Sequence, residues 1–511
     1  MTRFSLLARS TAIALCLPAT AAFADLTAAD VWADWKSYMS SAGYAVSGSE
    51  VSEAGALTIN DLTMAMDLSD DTGDGTVSVL LDTVRFVEQG DGTVAIELPE
   101  DSGFDMQFEP DTGEKINATI AFTQTAPVMT AAGDPTELTY DYAASAAAIV
   151  LSSLTVDGTA LNKDIVNIAV TMTGLAYTTQ TSVGDNLRSM DQDMSVATLD
   201  YDIGFSDPEG DGTAKIAGNI RDLQFDGGGD LPGDADPQDF NAMLNAGFGV
   251  AGTFTSAGGS YDMSFSGPDG SGTANSTSQG ADITVAMDAT GLTYDIVQRD
   301  VAANVLITEF PLPLSFSAAE LGTSVQMPLQ KSPQEQDFGL AVLLSDFTMS
   351  DVIWGLFDPA GQLPRDPATL AVDLSGKAKV LFDFLDPAQA AVLEETGAVP
   401  GELNALTLNA LELDAVGAKL TGSGNFTFDN SDLTTFDGMP RPAGGIDLSL
   451  VGGNVLLDKL VGMGLLPEDQ AMGARMMMGL FAVPGEGPDT LNSRIEVNDE
   501  GHVLANGQRI R

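Results

Sequence analysis

The sequence predicts a mainly β protein: a long curved antiparallel meander made of two related β halves, with a few packed helices at the N-terminus and in the last third. Apolar and polar residues alternate through many short runs, as they do in strands with one buried face. Asp-Gly pairs, which tolerate positive φ and favour hairpin turns, lie between these runs. They begin at Asp74, Asp91, Asp157, Asp211, Asp226, Asp269 and Asp437.

The chain begins with helical periodicity and then changes to a period of two. Residues 28–42 place Val31, Trp35 and Tyr38 on one face, which predicts an amphipathic helix whose tryptophans pack in the core. Thr27 is a suitable N-cap and Gly43 a suitable C-cap. The strands that follow are marked by Leu57, Ile59, Leu62, Met64, Met66 and Leu68, then Val77, Val79 and Leu81, then Val94, Ile96 and Leu98.

Two short internal echoes indicate the related halves. Residues 170–177 read VTMTGLAY and resemble residues 285–294, VAMDATGLTY, while residues 61–64, DLTM, resemble residues 346–349, DFTM. The segment between the first two echoes contains a Gly- and Asp-rich run at 226–237, for which we expect an exposed loop. Pro237 then favours a short helix over 238–246, and the Gly/Ser-rich residues 254–278 are expected to form loose edge strands.

The last third mixes helices with strands. Asp386-Pro387 opens a predicted helix that runs to about residue 396, and alternating leucines predict strands around 406–413 and 420–428. Residues 453–466 and 468–481 predict a helical pair broken at Pro467, and because their apolar residues exceed one stripe we expect the pair to be largely buried. Residues 494–497 and 502–505 predict a terminal hairpin.

The first 24 residues predict a secretory signal peptide, because Arg3 and Arg9 precede a short apolar core and an Ala-Phe-Ala cleavage site. We expect cleavage between Ala24 and Asp25 and a periplasmic location, with secretion as an alternative. Lipidation of Cys16 is a weaker alternative, since Leu15 stands where a small residue is needed. The remaining chain divides into a helix and β-sheet region at 25–225, Gly/Asp-rich loops with a short helix at 226–278, and a β-sheet region with packed helices at 279–511.

The net charge restricts which classes of molecule the protein could bind. With 21 basic and 73 acidic residues the net charge is -52, so the surface repels nucleic acid and anionic head groups. After the signal peptide, no apolar run approaches the length of a membrane-spanning helix. Removal of residues 1–24 also removes the one cysteine, so the mature chain can form neither a disulfide nor a thiolate nucleophile.

The stretch 346–380 holds the most position-specific residues. It carries a short predicted helix, a rigid loop between two Asp-Pro pairs and an alternating strand. The structural motif consists of Trp354, Asp358, Pro359, Pro364, Arg365, Asp366 and Pro367. Because prolines fix the backbone around it, Arg365 is expected to tie the loop to the body of the protein through a partly buried carboxylate. Arg441, in a Gly/Pro-rich loop, is expected to matter little.

These residues carry a family resemblance. The runs WGLFDP at 354–359 and LPRDPATLAVDLSG at 363–376, the WADWKSY helix at 32–38 and the ending DEGHVLANG at 499–507 resemble the alphaproteobacterial envelope family called domain of unknown function 2125. The resemblance covers most of the mature chain. It implies an envelope protein with structural motifs, and it supplies no catalytic residues.

No residue pattern defines a catalytic, cofactor or metal site. His502 is the one histidine, and a catalytic triad would need it to be oriented beside a serine. Asp70, Asp71 and Asp74, and likewise Asp207, Glu209 and Asp211, resemble calcium loops, but the bidentate Glu of an EF-hand is missing from both. A G-x-S-x-G elbow and a P-loop are absent from the sequence.

The leading interpretation is therefore a non-catalytic envelope scaffold or binding protein that holds an apolar or amphiphilic ligand, such as a lipid, against a curved sheet. The 20 methionines suit an adaptable apolar surface. A carboxylate-based hydrolase of envelope polymers and a calcium-stabilised surface protein are the alternatives.

Overall fold

The computed structural model describes residues 25–68, 73–110, 113–162, 164–184, 186–207, 210, 212–233, 235, 239–397 and 399–511. The predicted signal peptide, Asp70, Asp71, Glu209, Asp211, Pro237 and Gln238 lie outside these residues. The helices are α1 (Ala28–Ser41), α2 (Phe240–Asn245), α3 (Asp351–Phe357), α4 (Pro387–Thr396), α5 (Gly453–Gly462) and α6 (Glu468–Phe481).

The strands outnumber the helices and form one antiparallel sheet. They are β1 (Ala45–Glu53), β2 (Ala56–Asp67), β3 (Gly73–Glu88), β4 (Val94–Glu97), β5 (Asp101–Pro110), β6 (Ile116–Thr125), β7 (Val128–Asp134), β8 (Glu137–Val156), β9 (Thr159–Ala160), β10 (Val166–Val183), β11 (Leu187–Ser206), β12 (Thr213–Pro232), β13 (Gly249–Ser256), β14 (Gly259–Gly267), β15 (Gly270–Ser278), β16 (Gly280–Asp288), β17 (Gly291–Ile307), β18 (Phe310–Met327), β19 (Gln336–Met349), β20 (Ala368–Val380), β21 (Gly401–Ala415), β22 (Ala418–Asp429), β23 (Arg441–Val451), β24 (Val483–Pro484), β25 (Thr490–Val497), β26 (Val503–Ala505) and β27 (Gln508–Arg509).

The sheet is a meander in which sequence neighbours pair. In two places a single strand position is filled by two short strands laid end to end. Between β3 and β8 these are β4 with β5, then β6 with β7. Between β12 and β17 they are β13 with β14, then β15 with β16. The predicted mainly β antiparallel fold is confirmed, and this repeated arrangement relates its two halves.

A line of backbone irregularities crosses the middle of the sheet; we call it the bulge line. Gly174 in β10 and Asp222 in β12 have positive φ and lie on either side of Ala197 in β11. In the second half, Asp300 in β17 and Asp346 in β19 have positive φ and flank Ala319 in β18 in the same way. At Asp346 the pairing of β19 with β20 also shifts register by one residue, as it does at a β-bulge.

The two internal echoes differ in whether they mark equivalent structure. Asp61 and Asp346, which begin DLTM and DFTM, both have positive φ, so this echo marks equivalent bulges. The other echo does not mark equivalent structure, because residues 170–177 lie within β10 whereas residues 285–294 span the β16–β17 turn.

The buried core lies where α1 covers the sheet. Val31 and Trp32 of α1 pack with Ile59, Val84 and Phe86. Trp35 meets Phe86 edge-on at 5.2 Å between ring centroids, and Thr27 caps the helix through the amide of Asp30. The predicted helix, its N-cap and its packed tryptophans are confirmed, because the apolar stripe and the capping box are local sequence signals.

Several local predictions are wrong. The expected loop at 226–237 is strand through Pro232, and Asp74 and Asp226 lie inside strands rather than at turns. The glycines at 227–229 permit this because a Cβ at each would approach a backbone oxygen of a neighbouring strand within 2.5 Å. Residues 254–278 are interior strands between β12 and β17, since their small residues allow close pairing.

The α5–α6 pair forms where expected but is not buried. Met472, Met476 and Leu480 lie on one stripe of α6 and are 66%, 71% and 58% exposed. Arg475 of α6 pairs with Asp458 of α5 on the surface. The apolar excess in these helices therefore has no second layer to cover it within the described residues. Among those residues, none of the helices combines the length and apolarity that crossing a membrane requires.

Candidate ligand-binding face

One face of the sheet is apolar and largely uncovered. Because successive side chains in a strand point to opposite faces, Tyr261, Met263 and Phe265 of β14 share a face, while Asp262 and Ser264 lie on the other. The register aligns Met263 with Ile216 of β12 and Phe265 with Ala214, and continues to Ile203 and Phe205 of β11. Ile203, Phe205, Tyr261, Met263 and Phe265 are all exposed.

The exposed apolar side chains of this face cross neighbouring strands in register. Contiguous apolar patches of more than a few hundred Å² usually mark an interaction site. We call this surface, which carries Ile203, Phe205, Tyr261, Met263 and Phe265, the open face.

Aromatic rings lie flat on the sheet because each meets a glycine on the neighbouring strand. A Cβ at Gly272 would lie 2.6 Å from the ring of Phe265, and one at Gly252 would lie 2.4 Å from the ring of Phe225. The same contact joins Tyr201 to Gly218. A ring that lies over a glycine covers backbone that would otherwise be exposed to solvent, and the resulting apolar surface is flat.

Two adjoining cavities lie next to α1. The larger, about 420 Å³, is lined by apolar residues of β12, β13 and the segment after α2, including Phe225, Phe248 and Phe254. The smaller, about 280 Å³, lies under α1 and is lined by Trp35 and several methionines. Both are lined by Tyr38, Met190 and Gln192, so they form one elongated site of the size that small amphiphiles occupy.

A buried ion pair forms one wall of the smaller cavity. Arg188 of β11 donates to Asp34 of α1 at 2.6 Å, and the two side chains are 8% and 7% exposed. Arg188 also donates to the Thr181 hydroxyl at 3.0 Å, and the Tyr140 hydroxyl donates to Asp34 at 2.7 Å. Burial raises the pKa of the Tyr140 phenol, and the Asp34 carboxylate raises it further. Tyr140 therefore stays a donor, and the pair as a whole is electrically neutral.

Uncharged polar groups line the same cavity. Tyr177, Thr179 and Gln192 face it from β10 and β11. Burial raises the pKa of the Tyr177 phenol. The Thr179 hydroxyl oxygen is out of reach of solvent and has no hydrogen-bond partner among the described residues. A buried polar atom without a partner is uncommon and calls for an explanation.

A separate cleft of about 890 Å³ is lined by Asp191, Asp193, Asp226, Asp230 and Asp288, together with glycines, threonines and apolar residues such as Met287. Two of these aspartates serve a turn and a strand pair: Asp288 accepts from the amide and the hydroxyl of Thr290, which lower the pKa of Asp288, and Asp230 accepts from Ser189 at 2.5 Å. Among the described residues, groups of three or more acidic, His or Cys side chains that could hold a metal do not occur.

The predicted motif residues form a compact structural loop. Asp358 is fully buried and accepts from the amides of Gln362 and Leu363, both at 2.9 Å. The amide of Gln362 is the main cause of the lowered pKa of Asp358. Trp354 is buried in α3, with the Arg365 guanidinium 5.4 Å from its ring centre. Pro359, Pro364, Asp366 and Pro367 shape the connection to β20.

The structure reverses the expectations for Arg365 and Arg441. Arg365 pairs with Asp351, which is 90% exposed, so the expected partly buried partner is instead a surface carboxylate on the first turn of α3. Arg441 is only 23% exposed and contacts Asp429 at 3.1 Å and Asp432 at 3.3 Å, and it donates to the Asp499 carbonyl. Arg441 thus joins the β22–β23 connection to the terminal hairpin, which the sequence did not indicate because these partners lie in different turns.

The remaining candidates do not assemble into a reactive site. His502 lies 3.1 Å from Glu500, within the confirmed terminal hairpin, and no contact joins it to a serine in the part of the chain that the structure describes. The proposed calcium loops fall partly outside the described residues, and so that hypothesis stays a prediction. Asp34, Tyr140 and Arg188 were missed, because 154 residues separate the two charged partners and nothing local links them.

The comparisons with known proteins agree with part of this picture. Residues 253–507 match the model of a protein family described as "Uncharacterized protein conserved in bacteria (DUF2125)". The match includes α3, the motif loop and the terminal hairpin, while α1 lies outside it. Neither a curated protein nor a solved structure matches the chain.

Proposed function

Because residues 253–507 place the chain in the DUF2125 family, as its motifs predicted, and because that family is uncharacterised, we propose a function from the sheet itself. The protein is an exported envelope protein that binds an apolar or amphiphilic ligand, such as a lipid, along the open face. The predicted signal peptide supports export to the periplasm. The observation that carries the proposal is the row of exposed apolar side chains that crosses neighbouring strands in register.

The energetics favour occupation of this face. Covering apolar surface stabilises by about 25 cal/mol per Å², so a ligand that covers 200 Å² of the open face would gain about 5 kcal/mol before the entropy of binding is subtracted. Flat aromatic rings and methionines adapt to an alkyl chain without a fixed shape. The opposite face offers aspartates and threonines instead, and gains nothing from an apolar ligand.

A matched pair of variants on β14 tests the proposal. Met263→Glu places a charge on the open face, and Ser264→Glu places the same charge one residue away on the polar face; both positions are exposed. Each protein is purified without detergent from the periplasm and analysed by native mass spectrometry and by titration with a fluorescent fatty-acid probe. We expect bound amphiphile in the wild type and in Ser264→Glu, and at least tenfold weaker probe binding in Met263→Glu.

Absence of both co-purified amphiphile and probe binding in the wild type would refute the proposal. Equal loss in the two variants would show that added charge, rather than its place on the open face, weakens binding. Circular dichroism of the three proteins checks that the strand content is unchanged.

A further inference from the structure

The cavity under α1 differs from the open face, because it combines an apolar wall with buried polar groups at one end. Trp35, Met39, Met64 and Met129 supply the apolar wall, and the cavity continues past Met190 into the larger apolar cleft. A site with polar groups at one end and an apolar continuation matches a ligand that has a head and a tail.

The polar end contains no unbalanced charge. Arg188 and Asp34 neutralise each other at 2.6 Å, and Tyr177, Thr179 and Gln192 are uncharged. A charged head group would have to lose its water without gaining an opposite charge, which is costly in a buried site. The net charge of -52 adds long-range repulsion against an anionic head. An uncharged head, in contrast, could complete the hydrogen bonding of the Thr179 hydroxyl, which has no partner among the described residues.

We propose that this cavity binds the uncharged, hydrogen-bonding head of a single-chain amphiphile, such as a glyceride or a long-chain alcohol, while its tail occupies the adjoining cleft lined by Phe225 and Phe254. This inference rests on the proposed function, and it specifies the chemical class of the ligand and one place where it binds. The hydroxyls of Thr179 and Tyr177 and the amide of Gln192 recognise the head. The side chain of Met190 lines the passage between head and tail.

The experiment compares four probes with the same eighteen-carbon tail: monooleoylglycerol, oleate, an oleyl quaternary ammonium and octadecene. Dissociation constants are measured on the full mature chain by native mass spectrometry and by displacement of a fluorescent probe. We expect monooleoylglycerol to bind at least tenfold more tightly than the two charged probes and the headless hydrocarbon.

Three variants locate the site. Thr179→Val keeps the side-chain shape but removes the hydroxyl, and should weaken monooleoylglycerol binding about fivefold, as loss of one hydrogen bond does, while leaving octadecene binding unchanged. Thr171→Val, on the same strand but exposed, is the control and should change nothing. Met190→Trp fills the passage and should abolish tight monooleoylglycerol binding.

The outcomes separate this inference from the proposed function. Charged probes that bind as tightly as monooleoylglycerol, or a Met190→Trp variant that binds it normally, would overturn the inference but leave binding along the open face standing. If Met263→Glu also leaves all probe binding intact, or if none of the four probes binds the wild type, the proposed function fails as well. A Thr179→Val variant that weakens all four probes equally would indicate a packing defect and overturn the assignment of the head site.

Discussion

Replacing Arg188 by methionine tests how α1 is held on the sheet. Arg188 and Asp34 are each more than nine-tenths buried and lie 2.6 Å apart, and Asp34 also accepts from Tyr140. Removing the guanidinium leaves a buried carboxylate without its counter-charge. Removing one member of such a pair typically costs about 3–5 kcal/mol, most of which is the cost of the stranded charge.

This cost should fall on the docking of α1 rather than on the whole sheet, because Asp34 is the helix residue and the helix can lift away with it. Local opening exposes backbone amides to exchange with solvent. A loss of 3–5 kcal/mol of opening free energy corresponds to roughly 150- to 5,000-fold faster amide exchange, at tenfold per 1.4 kcal/mol. We therefore expect the α1 amides of Arg188→Met to exchange two to three and a half orders of magnitude faster than those of the wild type.

Peptide-resolved hydrogen exchange with mass spectrometry measures this directly. The double variant Asp34→Asn with Arg188→Met removes both charges and keeps an acceptor for Tyr140, so α1 should regain most of its protection. Arg494→Met is the surface control, because Arg494 is 53% exposed and exposed pairs contribute less than about 1 kcal/mol. Unchanged exchange of α1 in Arg188→Met would refute the reasoning, and a double variant as labile as the single one would assign the effect to lost packing.

Three further perturbations test the folded loops and the bulge line. Arg441→Ala should lower the urea denaturation midpoint clearly and Arg365→Ala hardly at all, because Arg441 is the more buried and has more partners; the reverse order would contradict this. The pKa of Asp358 is lowered by folding, so its stabilisation is complete above about pH 4 and is lost as the pH falls below that value; the protection factors of amides 360–363, which correct for the slower intrinsic exchange in acid, should fall in acid for the wild type and already at neutral pH for Asp358→Asn. Asp222 has a φ of 47°, so Asp222→Val should cost about 1–3 kcal/mol and Asp222→Asn very little, a difference that thermal denaturation resolves.

The parts of the fold that the sequence predicted are those with local causes. The α1 stripe and its capping box lie within one segment, and the terminal hairpin joins residues a few positions apart. The exposure of α6 could not be predicted in this way, because Met472 and Met476 give the same apolar pattern whether or not another element covers them. The ion pair of Asp34 and Arg188 depends on a register established across several strands, and no short sequence window contains it.

The open face follows from the alternation of apolar and polar residues along the strands, so this part of the candidate site could be predicted from the sequence. Tyr261, Met263 and Phe265 alternate with polar residues, which predicts one apolar face. Alternation does not say whether a second layer covers that face. The Gly/Ser-rich composition around these residues was interpreted as loose edge strands, whereas the small residues are what allow rings such as Phe265 to lie flat across the neighbouring strand.

The bulge line has a sequence signal, which is a shift in the phase of the apolar alternation. In β10 the apolar residues occupy even positions up to Met172 and odd positions from Leu175, so the alternation shifts phase at Gly174. The same shift occurs in β12 on either side of Asp222, from Ile220 to Leu223. In a regular strand a one-residue shift would turn every following side chain to the opposite face, and here the shift coincides with a residue of positive φ.

The phase shift therefore marks the bulge line in the sequence. Positive φ recurs at Asp300 and Asp346 in the second half of the sheet. The short strands that share one position, such as β13 and β14, meet along this line too, since Arg221 bonds to Ala257 and Gly258 at the junction. The aspartates of the bulge line thus connect a local sequence signal to the place where the long strands change phase and the short strands meet.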